Sequence, residues 1–293
     1  MKVLPVAPIK LLQNPKFCLF GTTVGLTVLH LSLSWRLLSD VDQLILNVIF
    51  WGALLCVLWR KQDLLNLESD IFSSFFGLLL IGLVLIKSIS LFWFEAYFLK
   101  LSPLLVALGL SLLASGIKGL KQYWRELLFV LLLCIPEGLF LQIFDKLFHV
   151  SVLTAKFAVF VLWYLGFKVS GQGINIFLPN GRVFVETACT GISTLLLLLK
   201  FSVLFILTFP TERLKKILVL LGAVLIAFVT SVIRVALMAI FVSNKEIFDY
   251  WHGSQGNQVF TTTSILIFGL LCRFLLHLNE SESEFASQDL ESQ

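Results

Sequence analysis

The sequence predicts an all-α integral membrane protein with about eight transmembrane helices, an interfacial helix on the outer surface and a short extracytoplasmic β-hairpin. Composition, the length of the apolar stretches and the placement of basic residues support this prediction. Hydrophobic residues make up 58 % of the 293 residues and charged residues 14 %, and phenylalanine alone contributes 28. A soluble fold of this size needs more polar surface than that. Composition therefore excludes a cytosolic enzyme, a secreted disulfide scaffold and a free nucleic-acid-binding domain.

The apolar stretches have the length of about 20 residues that a helix needs to cross the hydrocarbon core. They are Phe17–Leu38, Leu44–Trp59, Ile71–Ser88, Tyr97–Leu113, Glu126–Phe144, Thr190–Phe209, Ile217–Phe241 and Val259–His277. The first is too long for the apolar region of a cleaved signal peptide, so we expect an uncleaved anchor. A further stretch, Asp145–Phe167, is interrupted by charges. It is either a ninth span or a helix that lies on the outer surface or re-enters it.

Basic residues favour the smaller number of spans. With the N-terminus inside, the clusters Arg60–Lys61, Lys118–Arg125 and Arg213–Lys216 all lie on the cytoplasmic side, as membrane proteins prefer. A ninth span would divide these clusters between the two sides. We therefore expect both termini in the cytoplasm. The acidic tail, 279–293, is predicted to be disordered, and the whole chain, 1–293, is predicted to form a single membrane domain.

The most polar internal stretch runs from Lys168 to Glu186. Ile174–Leu178 and Val183–Glu186 are predicted strands, joined by a turn at Pro179–Arg182. An open hairpin has unpaired edges that hydrocarbon does not tolerate, so it should lie on the outer surface. Cys189 follows at or just before the N-terminus of the sixth span, where the helix dipole would lower the pKa of a thiol. The other cysteines are expected to be inert packing thiols: Cys18, Cys56, Cys134 and Cys272.

Two more polar residues fall near the same face. Arg234 lies about 10 Å inside the outer end of an apolar span, and an intramembrane arginine is a functional candidate by default. His252 lies in the outer loop, 243–258. Each residue has a structural alternative: Cys189 as a small residue packing at a helix start, Arg234 as a snorkelling side chain, His252 as a solvated loop residue. Together, a thiol, an imidazole and a guanidinium can carry out acyl transfer.

The segments around these residues resemble the exosortase/archaeosortase family of polytopic membrane cysteine transpeptidases, and within it the cyanobacterial branch (cyanoexosortase). The resemblance covers about 127–260. It rests on VETACTGISTL around Cys189, SVIRVALMAI around Arg234 and YWHGSQGNQVF around His252. The chain has Thr190 where the family often has Ser, and Ser231 where it often has Asn.

The resemblance implies a thiol protease of the cell inner membrane with its active site on the extracytoplasmic face. Its substrates would be exported proteins whose C-terminal sorting signal has a Pro-Glu-Pro-like motif, a transmembrane helix and a basic tail. Cys189 is then the nucleophile that forms a thioacyl-enzyme, Arg234 the electrostatic stabiliser and His252 the acid/base. The acceptor stays open: water, an amine, a lipid or a glycan.

Further residues are candidates for contact with the site or the substrate. Arg182 could contact the acidic motif, with a water-facing turn residue as its alternative, and Glu186 could cap a helix with its carboxylate. Ser231 and Thr190 are candidates for support of the catalytic residues. No metal, organic cofactor or nucleic-acid partner is predicted, because the chain has no His-Glu-x-x-His pattern and no Gly-rich phosphate loop. Membrane lipid and the substrate proteins are the expected partners.

Two other functions fit the residues. In a transporter or polymer-export component, Arg234 would bind an anionic ligand, and Cys189→Ala would be tolerated. In a non-catalytic assembly factor, substitutions at Cys189, Arg234 and His252 would all be silent.

Overall fold

The computed structural model describes the backbone of residues 15–38, 41–89, 96–209 and 212–291. Side chains at 15, 17–18, 37–38, 41–43, 89, 96–97 and 278–291 lie outside the description, so the expectations for the N-terminus and for the Cys18 side chain lie outside it too. The fold divides into two compact units, Met1–Pro136 and Glu137–Gln293. Each unit is described by itself.

The first unit is entirely helical in its described part. Its helices are α1 (Pro15–Leu38), α2 (Val41–Lys61), α3 (Ile71–Ile89), α4 (Ala96–Gly119) and α5 (Trp124–Cys134), with 3₁₀ turns at Gln62–Leu64 and Leu120–Tyr123. Helices α3 and α4 pack closely because a glycine of each faces the other. A Cβ on Gly77 would lie 2.6 Å from the carbonyl oxygen of Gly109, so neither position has room for a side chain.

The second unit contains six helices, α6 (Glu137–Phe148), α7 (Val150–Tyr164), α8 (Ile192–Thr208), α9 (Arg213–Ile240), α10 (Lys245–His252) and α11 (Ser254–Glu291), among its described residues. Between α7 and α8 lie three short strands, β1 (Ser170–Gln172), β2 (Asn175–Leu178) and β3 (Gly181–Phe184), and a 3₁₀ turn at Thr187–Cys189. Helix α11 continues to Glu291, through residues for which composition predicts a disordered tail.

By length and composition, the described helices provide five candidate membrane spans. These are Leu44–Leu64, Ile71–Ser88, Phe98–Cys134, Arg213–Ile240 and Ser254–His277. The pair α6 and α7 makes a sixth if it counts as one span. Helix α8 is apolar but shorter, and the described part of α1 is not among the candidates. A multi-pass membrane protein is thus confirmed, but the predicted number of about eight spans is not.

The predicted span Glu126–Phe144 is wrong as a single helix. Its first part is α5, which ends at Cys134, and its last part lies in α6. Ile135 between them has φ −61° and ψ 119°, because a residue before proline avoids the helical region and here Pro136 follows. The pair α6 and α7 is bent by 69° at His149, which has a left-handed backbone with φ 50°. This bend is compatible with a broken span and with the re-entrant alternative.

The predicted hairpin is confirmed, with a first strand one residue shorter and a second strand that begins two residues earlier than predicted, at Gly181. Strands β2 and β3 pair antiparallel with Leu178 opposite Gly181, so the connection is a two-residue turn at Pro179–Asn180. The strand β1 was not predicted; it pairs with the other side of β2 in the order β1-β2-β3. Ile176 and Val183 of the sheet and Val185, just after β3, turn inward and are almost fully buried against α7 and α9. That core supports the turn carrying Cys189.

Candidate active site

Cys189 is the last residue of the 3₁₀ turn that leads from the sheet into α8. Its backbone N–H donates to the carbonyl oxygen of Glu186 at 2.9 Å, and its side chain is only 4 % exposed. Helix α8 begins three positions later, at Ile192. The predicted location, just before a helix N-terminus, is therefore confirmed. The free amides of the first helical turn lie next to the thiol along the chain.

Gly191 makes this approach to α8 possible. Its φ of +73° lies in the left-handed region, where residues with a Cβ are strained. It also packs directly on α9, since a Cβ at this position would lie 2.7 Å from the carbonyl oxygen of Ala227 and 2.7 Å from the Cβ of Ser231. Glycine is therefore required twice, for the turn and for the contact with the helix that carries Arg234.

His252 is the last residue of α10, and the structure brings its imidazole to Cys189 across 63 positions of sequence. The distance from Cys189 Sγ to His252 Nδ1 is 3.8 Å, a long sulfur contact of the kind that tightens when a substrate binds. Phe248 stacks on the imidazole with ring centroids 5.6 Å apart and an interplanar angle of 12°. The histidine is exposed whereas the cysteine is buried.

Arg234 lies in α9 and is 7 % exposed. Its guanidinium donates three hydrogen bonds: Nε to the carbonyl oxygen of Trp251 at 3.1 Å, Nη2 to that of His252 at 2.9 Å and Nη1 to Oδ1 of Asn257 at 2.8 Å. Trp251 and His252 end α10, so the arginine satisfies the carbonyls at the negative end of that helix dipole. Among the described residues it has no carboxylate partner. Arg234 therefore fixes the end of α10, and with it the position of His252.

Burial and nearby charges act on the thiol in opposite directions. Burial raises the pKa of Cys189, the positive charge of Arg234 lowers it, and the negative charge of Glu186 raises it, with a net upward shift. The expectation of a lowered thiol pKa is thus wrong, because desolvation outweighs the positive charge of Arg234. At neutral pH the resting group is a neutral thiol, which needs a base to become a nucleophile.

A family model described as transmembrane exosortase (Exosortase_EpsH) matches residues 35–269, most of the chain. This chain belongs to the transmembrane exosortase family. The family in general consists of membrane cysteine proteases or transpeptidases that sort exported proteins bearing C-terminal signals. No curated protein and no solved structure matches the chain.

Of the supporting residues predicted for this exosortase, two touch the cysteine turn. Ser231 donates from Oγ to the carbonyl oxygen of Cys189 at 2.8 Å, within the buried α9–turn contact. Thr190 donates from Oγ1 to the carbonyl oxygen of Thr187 at 2.6 Å and so closes the turn on itself. Arg182 lies on β3 with its side chain exposed. Glu186 does not cap with its carboxylate, because its side chain makes no capping hydrogen bond.

Sequence reasoning missed two residues of this exosortase site. Asn257 holds Arg234, and its only sequence signal is a polar side chain shortly after His252. Asp145 accepts from the N–H and Oγ of Ser151 at 2.7 and 2.8 Å and from Oγ1 of Thr187 at 3.3 Å. It thereby joins the α6–α7 bend to the cysteine turn. Its sequence signal is a charge in an apolar stretch, which indicates a break in a span but does not indicate a partner.

The described residues offer no metal site. No group of three or more His, Cys, Asp or Glu side chains in that part of the chain is placed to bind an ion.

Proposed function

We propose that this exosortase is a cysteine transpeptidase of the inner membrane that cleaves C-terminal sorting signals through a thioacyl-enzyme. The observation that carries the proposal is the contact between Cys189 Sγ and His252 Nδ1, 3.8 Å apart. A buried thiol beside an exposed imidazole is the arrangement that nucleophilic catalysis needs, because the base can exchange protons with solvent while the nucleophile is shielded.

The proton and bond changes balance with these two side chains. His252 takes the proton from Cys189, Sγ attacks the carbonyl carbon of the scissile peptide, and a C–S bond forms. The C–N bond then breaks as His252 gives the proton to the leaving amine. In the second half, water or another acceptor attacks the thioester, His252 takes the acceptor's proton, and that proton returns to Sγ as the C–S bond breaks.

Arg234 supports both half-reactions electrostatically. It is permanently charged, and its charge favours the thiolate of Cys189. Because its hydrogen bonds already go to Trp251, His252 and Asn257, its part in catalysis is positioning of the histidine and a through-space effect on negative charge. Amides of the first turn of α8 can donate to the oxyanion of the tetrahedral intermediate.

The proposed orientation puts this site on the outer face and both termini in the cytoplasm. Arg213, Lys215 and Lys216 begin α9 and Arg234 lies near its other end, about 30 Å away along the helix axis. The preference of basic clusters for the cytoplasmic side therefore supports an outer location for Arg234 and Cys189. There a substrate helix that spans the membrane would present the end that carries its recognition motif.

The hydrogen bonds of Arg234 do not support the transporter alternative. The guanidinium of Arg234 commits three of its five N–H donors to neutral oxygens of its own chain, which favours a hold on the end of α10 over the binding of a transported anion. No second function is therefore proposed.

Co-expression with a tagged reporter protein tests the enzyme. The reporter carries a C-terminal Pro-Glu-Pro motif, a transmembrane helix and a basic tail, and its size is read by gel and mass spectrometry. We expect wild type to shorten it, Cys189→Ala and His252→Ala to leave it full length, and Cys56→Ala, which removes an exposed thiol of α2, to behave as wild type. Hydroxylamine should release reporter from the wild-type adduct, as it does from thioesters. Unchanged processing by Cys189→Ala would exclude the proposed nucleophile.

Single-cysteine labelling, in a background where all five native cysteines are replaced by alanine, tests the orientation. Asn180→Cys lies at the exposed tip of the β2–β3 turn, and Glu68→Cys at an exposed position of the loop after α2. A membrane-impermeant maleimide should label the first in intact spheroplasts and the second only after lysis. The reverse pattern would place the site in the cytoplasm.

A further inference from the structure

The outer edge of β3 is unpaired among the described residues. In the antiparallel pair, Val185 donates its N–H to the carbonyl oxygen of Ile174 at 2.9 Å, so Val185 and Val183 point their backbone groups toward β2. The alternate residues, Arg182 and Phe184, point theirs the other way. Neither has a backbone partner in the described part of the chain, and β3 is the last strand in the order β1-β2-β3.

The side chains of β3 also alternate between a buried and an exposed face. Val183 and Val185 are buried in the core with α7 and α9. Arg182 and Phe184 lie on the opposite face, and Phe184 is 54 % exposed. Arg182 lies opposite Phe177 of β2 and forms no ion pair within the described residues. This face therefore offers a free cation and exposed aromatic surface beside an open strand edge.

The strand continues directly into the catalytic turn. Phe184 is followed by Val185 and Glu186, and the carbonyl of Glu186 holds the N–H of Cys189. We infer that the outer edge of β3 binds the acidic sorting motif of the substrate as an added strand, with Arg182 pairing with its carboxylate. This inference rests on the proposed function and identifies where that function acquires its sequence specificity.

A Pro-Glu-Pro segment has the hydrogen-bonding pattern that this edge requires. When the glutamate lies opposite Arg182, its N–H and C=O both face the free groups of Arg182, and its side chain projects on the same face as the guanidinium. The flanking prolines then lie opposite Gly181 and Val183, where an added strand needs no N–H toward the sheet. Proline, which weakens ordinary strand pairing, is therefore accommodated.

Charge determines where along β3 the acidic residue of the motif lies. Glu186 is exposed, and its negative charge acts on Cys189, so a second carboxylate is disfavoured at that end of the strand. The acidic residue of the motif is thus expected at the Arg182 end of the strand and not at the Glu186 end.

A charge exchange between enzyme and reporter tests the pairing. Arg182→Glu should process the Pro-Glu-Pro reporter about ten- to a hundredfold more slowly than wild type, the range expected for loss of a charge-assisted hydrogen bond. A Pro-Lys-Pro reporter should be a poor substrate for wild type and a better one for Arg182→Glu. Lys168→Glu makes the same charge change at an exposed residue before β1, beyond the opposite edge of the sheet, and should process the Pro-Glu-Pro reporter as wild type does.

A second pair of variants tests the backbone pairing. Phe184→Pro removes an N–H that the fold does not use, whereas Phe184→Ala removes the same aromatic ring and keeps the N–H. Phe184→Pro should process the reporter several-fold more slowly than Phe184→Ala at equal protein levels. Equal rates would overturn strand addition.

The outcomes separate the inference from the proposed function. If wild type does not shorten the reporter, the proposed function fails and this inference fails with it. If wild type processes the reporter and Arg182→Glu does so equally well, the enzyme stands and the recognition edge is overturned. Direct contact is supported only if Arg182→Glu processes the Pro-Lys-Pro reporter better than it processes the Pro-Glu-Pro reporter. A variant that had simply failed to fold would not be rescued by a change in the substrate.

Discussion

The guanidinium of Arg234 donates to the backbone carbonyl oxygen of His252 at 2.9 Å, so the arginine holds the residue whose side chain contacts the cysteine. Arg234, His252 and Cys189 therefore form a chain of contacts, in which the arginine reaches the cysteine through the histidine. Arg234 fixes the end of α10, and the end of α10 presents the imidazole to Cys189. The positions of the guanidinium N–H donors, and not only the positive charge of Arg234, therefore determine where the imidazole lies.

Replacement of Arg234 by lysine separates shape from charge. Lysine keeps the positive charge but cannot make the forked contacts to Trp251, His252 and Asn257. We expect Arg234→Lys to process the reporter about a hundredfold more slowly or worse, since hydrogen bonds from charged donors contribute about 1.5–3 kcal/mol each. Reporter half-lives in membranes measure the effect.

Asn257→Ala provides the graded comparison. It removes one acceptor and leaves the two carbonyl contacts of Arg234, so we expect a loss of about tenfold or less. Lysine at position 234 with wild-type activity would show that charge alone is sufficient, and the positioning of His252 through α10 would be wrong.

Gly191→Ala should damage both stability and activity. Its φ of +73° and the 2.7 Å approach to Ala227 and Ser231 leave no place for a methyl group. Such strain costs about 2 kcal/mol or more, and we expect a melting temperature several degrees lower in detergent. Gly138→Ala in α6 is the control, because a Cβ there meets nothing within 4 Å; it should melt at or above the wild-type temperature. Equal melting of the two variants would contradict the close packing.

Local patterns made part of this structure predictable. The hairpin follows from Pro179–Asn180–Gly181 between apolar residues. Arg234 stands out as a charge in an apolar stretch, and Cys189 and His252 stand out because the predicted topology puts them near the same face. The split of the fifth predicted span also had a local signal, Pro136. The carbonyl partners of Arg234 and the link from Asp145 to Thr187 had none, because they depend on which segments of the chain meet in three dimensions.

The hydrogen bond between Asp145 and Thr187 predicts that Asp145 helps to hold the cysteine turn in place. Asp145→Asn weakens acceptance from Ser151 and Thr187, and we expect a stability loss of about 1–3 kcal/mol together with slower reporter processing. Asp249→Asn neutralises an exposed carboxylate of α10 and should change neither. Thr187→Val removes only the link to the turn. If Thr187→Val slows processing but does not lower the melting temperature, whereas Asp145→Asn lowers it, the link positions Cys189. If neither variant slows processing, Asp145 has no part in the site.

The charges around Cys189 predict two variants with opposite effects on thiol reactivity. Burial raises the pKa of the thiol, so alkylation by iodoacetamide should keep rising with pH beyond the ordinary thiol pKa of about 8.5. Glu186→Gln removes a negative charge that raises the pKa, and should therefore speed alkylation at a fixed pH near neutrality. Arg234→Gln removes a positive charge that lowers the pKa, and should slow it. Cys189→Ala supplies the background from other thiols. A wild-type rate that levels off below pH 8 would mean a preformed thiolate and contradict the neutral resting thiol, whereas equal rates in both charge variants would mean that neither charge acts on Sγ.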